Sequence, residues 1–261
     1  MRLLHGQAIC SANLVLLLVL LAGCDQANLM REMTAPEDES AAINYVDLLR
    51  QNKVDQIEKD LDHSLEDAGT QSMLASMAGL FPNQQPVSVK VVGMQGFRDG
   101  AFSSVNITLE YEFPEKWLLA NVVTKRGSGS VTITGFHVYE ISDSLEHRNR
   151  FTLADMSVGK FTTLLFAVVA VVLSLYAFVV CIRTNLKRKW LWSIVSLLGV
   201  GQLSINWITG EARINALAFH LPPGGATATP YGPWVVYVSL PVGAILFLLL
   251  RDAQRLPVKQ V

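Results

Sequence analysis

Apolar residues first recur at helical steps. Ile43 and Val46, then Val54, Ile57, Leu61 and Leu65, fall three or four residues apart, and Gln51-Asn52-Lys53 forms a joint between two predicted helices. Ser72–Leu80 reads as a third short helix stopped by Pro82, with Met73, Leu74, Met77 and Leu80 on its apolar side. The two methionines there read as core filler. From Pro86 the period drops to two. Val87, Val89 and Val91 alternate with polar residues, and so do Val105, Ile107, Leu109, Tyr111 and Phe113. Trp117–Arg126 makes a further strand, which Gly127-Ser128-Gly129 turns into the next. Val131, Ile133, His137, Tyr139 and Ile141 share a face unless Gly135 introduces a bulge. Long antiparallel strands with one apolar face need a cover, and the helices that precede them supply it. The expectation for this part is an α+β fold, with helices packed on a curved antiparallel sheet.

Beyond Lys160 the pattern becomes continuously apolar. Phe161–Ile182, Trp190–Ile208 and Trp234–Leu250 carry no charged side chain, and each has the length of a bilayer-crossing helix. They predict a three-helix transmembrane domain after the roll. Arg183, Lys187, Arg188 and Lys189 follow the first span, and Arg251, Arg255 and Lys259 follow the third. The connection 209–233 holds only Glu211 and Arg213 as charged residues, so the basic segments are expected on the cytoplasmic side. Trp190, Trp192, Trp207, Tyr231 and Trp234 sit at span ends, as interfacial anchors do. Pro241 is expected to kink the third helix, and Ser193, Ser196, Gly199 and Gly201 to offer a small-residue face on the second. No ionisable residue falls within a span, which argues against a pump or proton-coupled transporter.

The beginning of the chain changes the picture of location. Arg2 precedes an apolar stretch, Ala8–Leu21, that ends in Leu21-Ala22-Gly23-Cys24. That ending resembles the bacterial lipobox. The resemblance implies cleavage before Cys24, a covalent lipid on its sulfur, and retention at the inner membrane by Asp25. An uncleaved leader would instead be a fourth helix. Residues 25–160 carry 20 acidic and 12 basic side chains, a balance of −8 that disfavours nucleic acid and anionic headgroups as partners. The chain is thus expected to divide into a signal peptide (1–23), a lipidated linker (24–36), a periplasmic roll (37–155), spans at 161–182, 190–208 and 234–250, a periplasmic loop (209–233) and a cytoplasmic tail (251–261).

Helices followed by about four strands resemble the nuclear-transport-factor-like or ketosteroid-isomerase-like roll, also called cystatin-like. Tyr45-Val46-Asp47-Leu48-Leu49-Arg50-Gln51-Asn52-Lys53-Val54-Asp55 resembles its opening helix, joint and second helix, and Gly135-Phe136-His137-Val138-Tyr139 its last strand. The resemblance implies a cone between sheet and helices that holds a small apolar molecule in many members and supports proton-transfer chemistry in some. Such chemistry needs a carboxylate base and hydrogen-bond donors in the cone. Asp99, Glu110, Tyr111, His137 and Tyr139 are the polar groups on or beside the strands. Periodicity alone does not assign a base, because it does not say which face lines the cone.

Cys10, Cys24 and Cys181 all lie outside the roll, which leaves it without a disulfide framework or a cysteine-based metal site. No HExxH, GxSxG, GxGxxG or phosphate loop occurs. Glu37, Asp38 and Glu39 lack the spacing of a metal loop and fit a helix N-terminus. The expectation is an inner-membrane lipoprotein with no cofactor beyond its lipid, no catalytic residue and no metal. Its partners would be the membrane and an envelope protein or small apolar ligand. Its periplasmic domain would be a non-enzymatic binding or assembly module. The alternatives are an apolar-ligand-binding or isomerase-like roll, and an accessory subunit of a membrane complex.

Overall fold

A computed structural model describes residues 35–253, apart from positions 66, 68, 100, 101, 128–130 and 187. The leader, Cys24, Asp25 and the end of the C-terminal tail lie outside the described residues. The described residues form two compact units, one from 35–148 with Pro230–Gly232, the other from Asn149–Thr229 and 233–253.

The first unit is the expected α+β arrangement. Helices α1 (Pro36–Arg50), α2 (Val54–Glu58) and α3 (Thr70–Ala78) precede strands β1 (Ser88–Asp99), β2 (Phe102–Glu112), β3 (Trp117–Arg126) and β4 (Val131–Ile141). A short helix, α4 (Leu145–Arg148), follows. The strands make an antiparallel meander in the order β1-β2-β3-β4. Pro36 opens α1, where its missing N–H costs nothing, and Glu37, Asp38 and Glu39 fill the first turn, favoured by the helix dipole. Arg126 at the end of β3 pairs with Glu37 at 3.5 Å and Asp38 at 2.9 Å. The joint between α1 and α2 turns at Asn52, which adopts φ 55°, a left-handed conformation that asparagine tolerates.

The core lies between helices and sheet. Val46, Leu49, Ile57 and Leu74 meet Ile107, Leu109, Tyr111, Leu118, Ala120 and Val122 there. Each fully buried aliphatic side chain contributes about 1.5–3 kcal/mol of transfer free energy. Two backbone hydrogen bonds pin the segment after α2 to the sheet: Asp62 N–H to the Ile133 carbonyl, and Ile133 N–H to the Asp60 carbonyl. Met77 is buried with Leu74, whereas Met73 is half exposed.

Gly135 does introduce a bulge in β4, so Val131, Ile133, His137, Tyr139 and Ile141 do not share one face. The ladder shifts between Val123 and Thr124, because Val123 opposes Gly135 while Thr124 opposes Ile133. This bulge reverses the side-chain alternation, so Ile133, Phe136 and Val138 enter the core while His137 is exposed and Tyr139 is 43% exposed. A Cβ at Gly135 would stand 3.0 Å from Val123 Cγ2, so the bulge position favours the smallest residue.

The second unit overturns the three-helix transmembrane domain. Helix α5 (Val158–Arg183) forms as expected, capped by Ser157, whose hydroxyl accepts the Lys160 N–H. Among the described residues it is the one helix long and apolar enough to cross a membrane. Its 26 residues extend about 39 Å, against about 30 Å of hydrocarbon.

The second and third apolar windows are mixed structures. The former contains α6 (Lys189–Val195) and β5 (Gly199–Asn206), the latter β8 (Val235–Leu240) and α7 (Val242–Leu250). The expected loop contributes β6 (Ala212–His220) and β7 (Gly224–Thr227). Together they make a second antiparallel sheet in the order β6-β5-β8-β7. Gly201 adopts φ 72° inside β5, where the ladder shifts between Val200 and Gln202. Pro241 stops strand β8 and caps α7 rather than kinking a long helix. At about 14 Å, the nine residues of α7 fall well short of a bilayer.

The chain folds back along α5. Thr163, Ala167, Ala170, Ser174, Ala177 and Cys181 are buried at alternating steps of four and three, so a seam of small side chains runs along one side of the helix. Ala167 packs with Ile205, Trp207 and Val236 of the sheet region, and Ala177 and Cys181 pack with Ala244 and Phe247 of α7. The remaining surface of α5 is apolar and open, with Phe166, Val168, Val172 and Tyr176 each more than half exposed.

Candidate functional site

Of the polar residues expected at a cone, Tyr111 lies on one face of the sheet and Glu110, His137 and Tyr139 on the other. Strand alternation puts Glu110 and Tyr111 on opposite faces of β2. Tyr111 points into the core beside Phe81 and Phe113, at ring distances of 6.0 and 6.4 Å. Its hydroxyl is buried and makes no hydrogen bond in the structure, and burial pushes its ionisation well above the usual tyrosine range.

Glu110 occupies the far face, 1% exposed, beside Val92, Leu119 and Ile141. Its carboxylate accepts the Leu145 N–H at 2.6 Å and so ties α4 to the sheet. Burial raises its carboxyl above the ordinary glutamate value, and the Leu145 N–H and the Lys90 ammonium partly oppose that. His137 and Tyr139 also lie on this far face, with rings 5.6 Å apart, while Asp99 ends β1 opposite Phe102. Beside His137, Asn121 donates to Asn106 and Thr108, which occupies its polar groups in a ladder of side chains.

A different feature of the described residues is concave. In the second unit a groove of about 490 Å³ runs between α5 and the second sheet. This falls within the ~300–1,000 Å³ of small-molecule sites. Cross-strand pairing explains its chemistry. Leu203 lies opposite both Ile214 and Val238, and Ile205 opposite Ala212 and Val236, so these residues share the face turned to α5. Ser204, opposite both Arg213 and Tyr237, lies with them on the other face. The sheet is therefore apolar towards the helix and polar away from it.

One helix does not cover four strands. A helix is about 10–12 Å across, roughly two strand spacings of about 4.8 Å. α5 lies over β8, β7 and β5, and the outer strand β6 projects beyond it. Ile214 on β6 is 82% exposed in consequence. The uncovered strip becomes the groove, walled by Phe166, Val169 and Ala170 on one side and by Leu203, Ile214 and Val238 on the other. No charged side chain lines it.

Ser239 lies at its margin and makes a 3.2 Å hydrogen bond with Nδ1 of His220. A serine beside a histidine is the first requirement of a nucleophilic site. Ser239, however, is only 3% exposed and packs close to Gly199, so its oxygen is closed to a substrate. The pair locks strand β8 to the end of β6.

Gly199 and Gly201, expected to serve helix packing, are strand positions here. A Cβ on Gly199 would stand 2.7 Å from Pro223 and Ser239, and Gly201 lines the groove. The groove itself was not expected from the sequence. Its signal was present as the alternation Val236, Val238 against Tyr237, Ser239, and Leu203, Ile205 against Gln202, Ser204, inside windows whose summed apolarity suggested helices. Among the described residues no group of three or more His, Cys, Asp or Glu side chains is placed to hold a metal ion. Comparison with family models, with curated proteins and with solved structures gave no match to this chain.

Proposed function

We propose that the chain is an inner-membrane lipoprotein whose α+β unit acts in the periplasm as a non-enzymatic binding or assembly module. The observation that carries this reading is α5, an apolar helix of bilayer-crossing length that directly follows the α+β unit and keeps a broad apolar surface uncovered. Arg183, Arg188 and Lys189 at its far end favour the cytoplasm for that end, and hence the periplasm for the residues before Val158. A lipid on Cys24 would hold the other end of the module down, each buried methylene contributing about 0.8 kcal/mol.

Cell fractionation with intact-mass measurement tests the proposal, wild type against Cys24→Ala. The expected wild type is in the inner membrane, lacks residues 1–23 and carries acyl mass. The variant keeps its leader, gains no lipid and stays in the membrane through α5. Recovery of unlipidated wild type in the soluble fraction overturns the reading. The second reading, a protein that holds a small apolar ligand, is favoured by the groove rather than by the roll.

A further inference from the structure

We propose that Glu110 is a pH-sensitive latch, which clamps α4 onto the first sheet while it is protonated and lets α4 go once it is ionised. The carboxyl is 1% exposed and accepts the Leu145 N–H, the first amide of α4, at 2.6 Å. Leu145 packs on Val92, Leu119 and Ile141, the apolar patch beside the carboxyl. No residue of α4 is itself buried, so this contact is a large part of what holds a helix of one turn, and such elements open locally before the rest of a fold does.

The geometry couples ionisation to lifting. A neutral carboxyl keeps its carbonyl oxygen for the Leu145 N–H and tolerates the apolar patch. A carboxylate there lacks the water it needs, and lifting α4 supplies it. Burial accordingly raises the carboxyl above its ordinary value in the docked form, so rising pH favours the released form. Lys90, opposite on β1, attracts the charge, while Glu112 on β2 and Glu146 on α4 repel it. Leu119 on β3 and Tyr139 on β4, next across the sheet, and Tyr231 over the patch carry no charge of their own below the tyrosine range. Asp143 and His147 pair within the turn of α4 itself. Docked, α4 leaves only Asn149 and Arg150 before Phe151, which stacks on Trp207; released, the stretch 142–150 becomes slack chain ahead of α5.

Hydrogen exchange of the full-length protein in mild detergent tests the proposal. Protection of the peptide 144–150 is followed as pH rises from the ordinary glutamate value of 4.5, and corrected for exchange of the same peptide when unstructured. The expected wild type loses α4 protection several-fold, while a β3 peptide, 118–122, keeps its own. Glu110→Gln, which still accepts from Leu145 but does not titrate, is expected to stay flat. Lys90→Met, at an exposed position, removes the attraction that favours the ionised docked form and is expected to deepen the loss. A flat wild type overturns the proposal, as does a fall shared with β3, which is unfolding of the whole unit. An equal fall in Glu110→Gln assigns the effect to the Asp143–His147 pair and overturns it too. Should Glu110→Gln not fold, a Lys90→Met curve identical to wild type overturns it by itself.

Discussion

The indole N–H of Trp207 donates to the carbonyl of Thr152 at 2.6 Å, while its ring stacks on Phe151 at 4.6 Å. One side chain thus joins the end of the second sheet to the segment that leads into α5. Trp207 is 2% exposed, and Phe151 also meets Trp234 edge-on at 5.9 Å. Trp207→Ala is expected to destabilise the second unit by about 3–5 kcal/mol, and Trp207→Phe, which keeps a ring but loses the donor, by about 1 kcal/mol. Thermal unfolding of the full chain in a mild detergent, with protease resistance of the second unit as readout, checks the order of the two.

Glu110 makes the stability of the α+β unit depend on pH. Burial raises its carboxyl in the folded state above the ordinary glutamate value of 4.5, so the folded form binds the proton more tightly than the unfolded form. Its favourable contribution is complete below that ordinary value and is lost as pH rises through the raised folded value. Glu110→Gln removes this titration while its amide oxygen still accepts from Leu145. Wild type is expected to lose stability relative to Glu110→Gln as pH rises from the ordinary glutamate value of 4.5 in urea unfolding, and parallel curves would refute the assignment. Glu110→Ala leaves the Leu145 N–H without its acceptor and is expected to cost about 1–3 kcal/mol.

Tyr111 behaves oppositely. Its ring fills the core, but its buried hydroxyl makes no hydrogen bond. Tyr111→Phe retains the ring contacts with Phe81 and Phe113 and removes an unsatisfied polar atom. The expected change is neutral to stabilising by up to about 1 kcal/mol, read from urea midpoints. A loss of more than 1 kcal/mol would mean that the hydroxyl has a partner.

Gly224 tests the close approach of sheet to helix. A Cβ there would stand 2.8 Å from the Ala167 carbonyl oxygen of α5. Backbone cannot yield as a flexible side chain would, so Gly224→Ala is expected to destabilise by about 1–3 kcal/mol or more. Gly210→Ala, on the turn beside Lys160 with open space around it, is the comparison: its φ of 74° alone costs about 1 kcal/mol. Limited proteolysis of the two variants should rank Gly224→Ala as the more sensitive.

Much of the α+β unit was legible because its local signals agree. Helical spacing from Ile43 to Leu61 and unbroken alternation from Val105 to Phe113 each have one natural reading, and the structure has it. On β4 the sequence marked Gly135 as the place where a bulge would break the shared face, but alternation alone does not decide whether the bulge forms; it does, and it reverses the side chains beyond it. The second unit misled for a different reason. Windows such as Trp190–Ile208 hold enough apolar residues to match a spanning helix, yet their apolar positions alternate because only one side of each strand meets α5. Summed hydropathy does not distinguish a strand with one buried side from a helix in lipid; period does. The candidate residues of the α+β unit were individually well placed on strands, but adjacency in sequence put Glu110 and Tyr111 on opposite sides, and no count of polar groups reveals that.

The path of the chain after α5 brings it back to where that helix begins. Ile205 on β5 comes within 3.5 Å of where a Cβ on Gly159 would lie, and Gly210 stands 4.0 Å from Lys160 by the same measure. Fifty residues after leaving the start of α5, the backbone has therefore returned to it. Whichever boundary Lys160 faces, the β5–β6 turn faces the same one, although an apolar helix and a basic segment intervene in sequence. The chain then runs the other way along β8, and α7 ends beside Ala177 and Cys181 at the opposite end of the helix, so the sheet spans the helix from one end to the other.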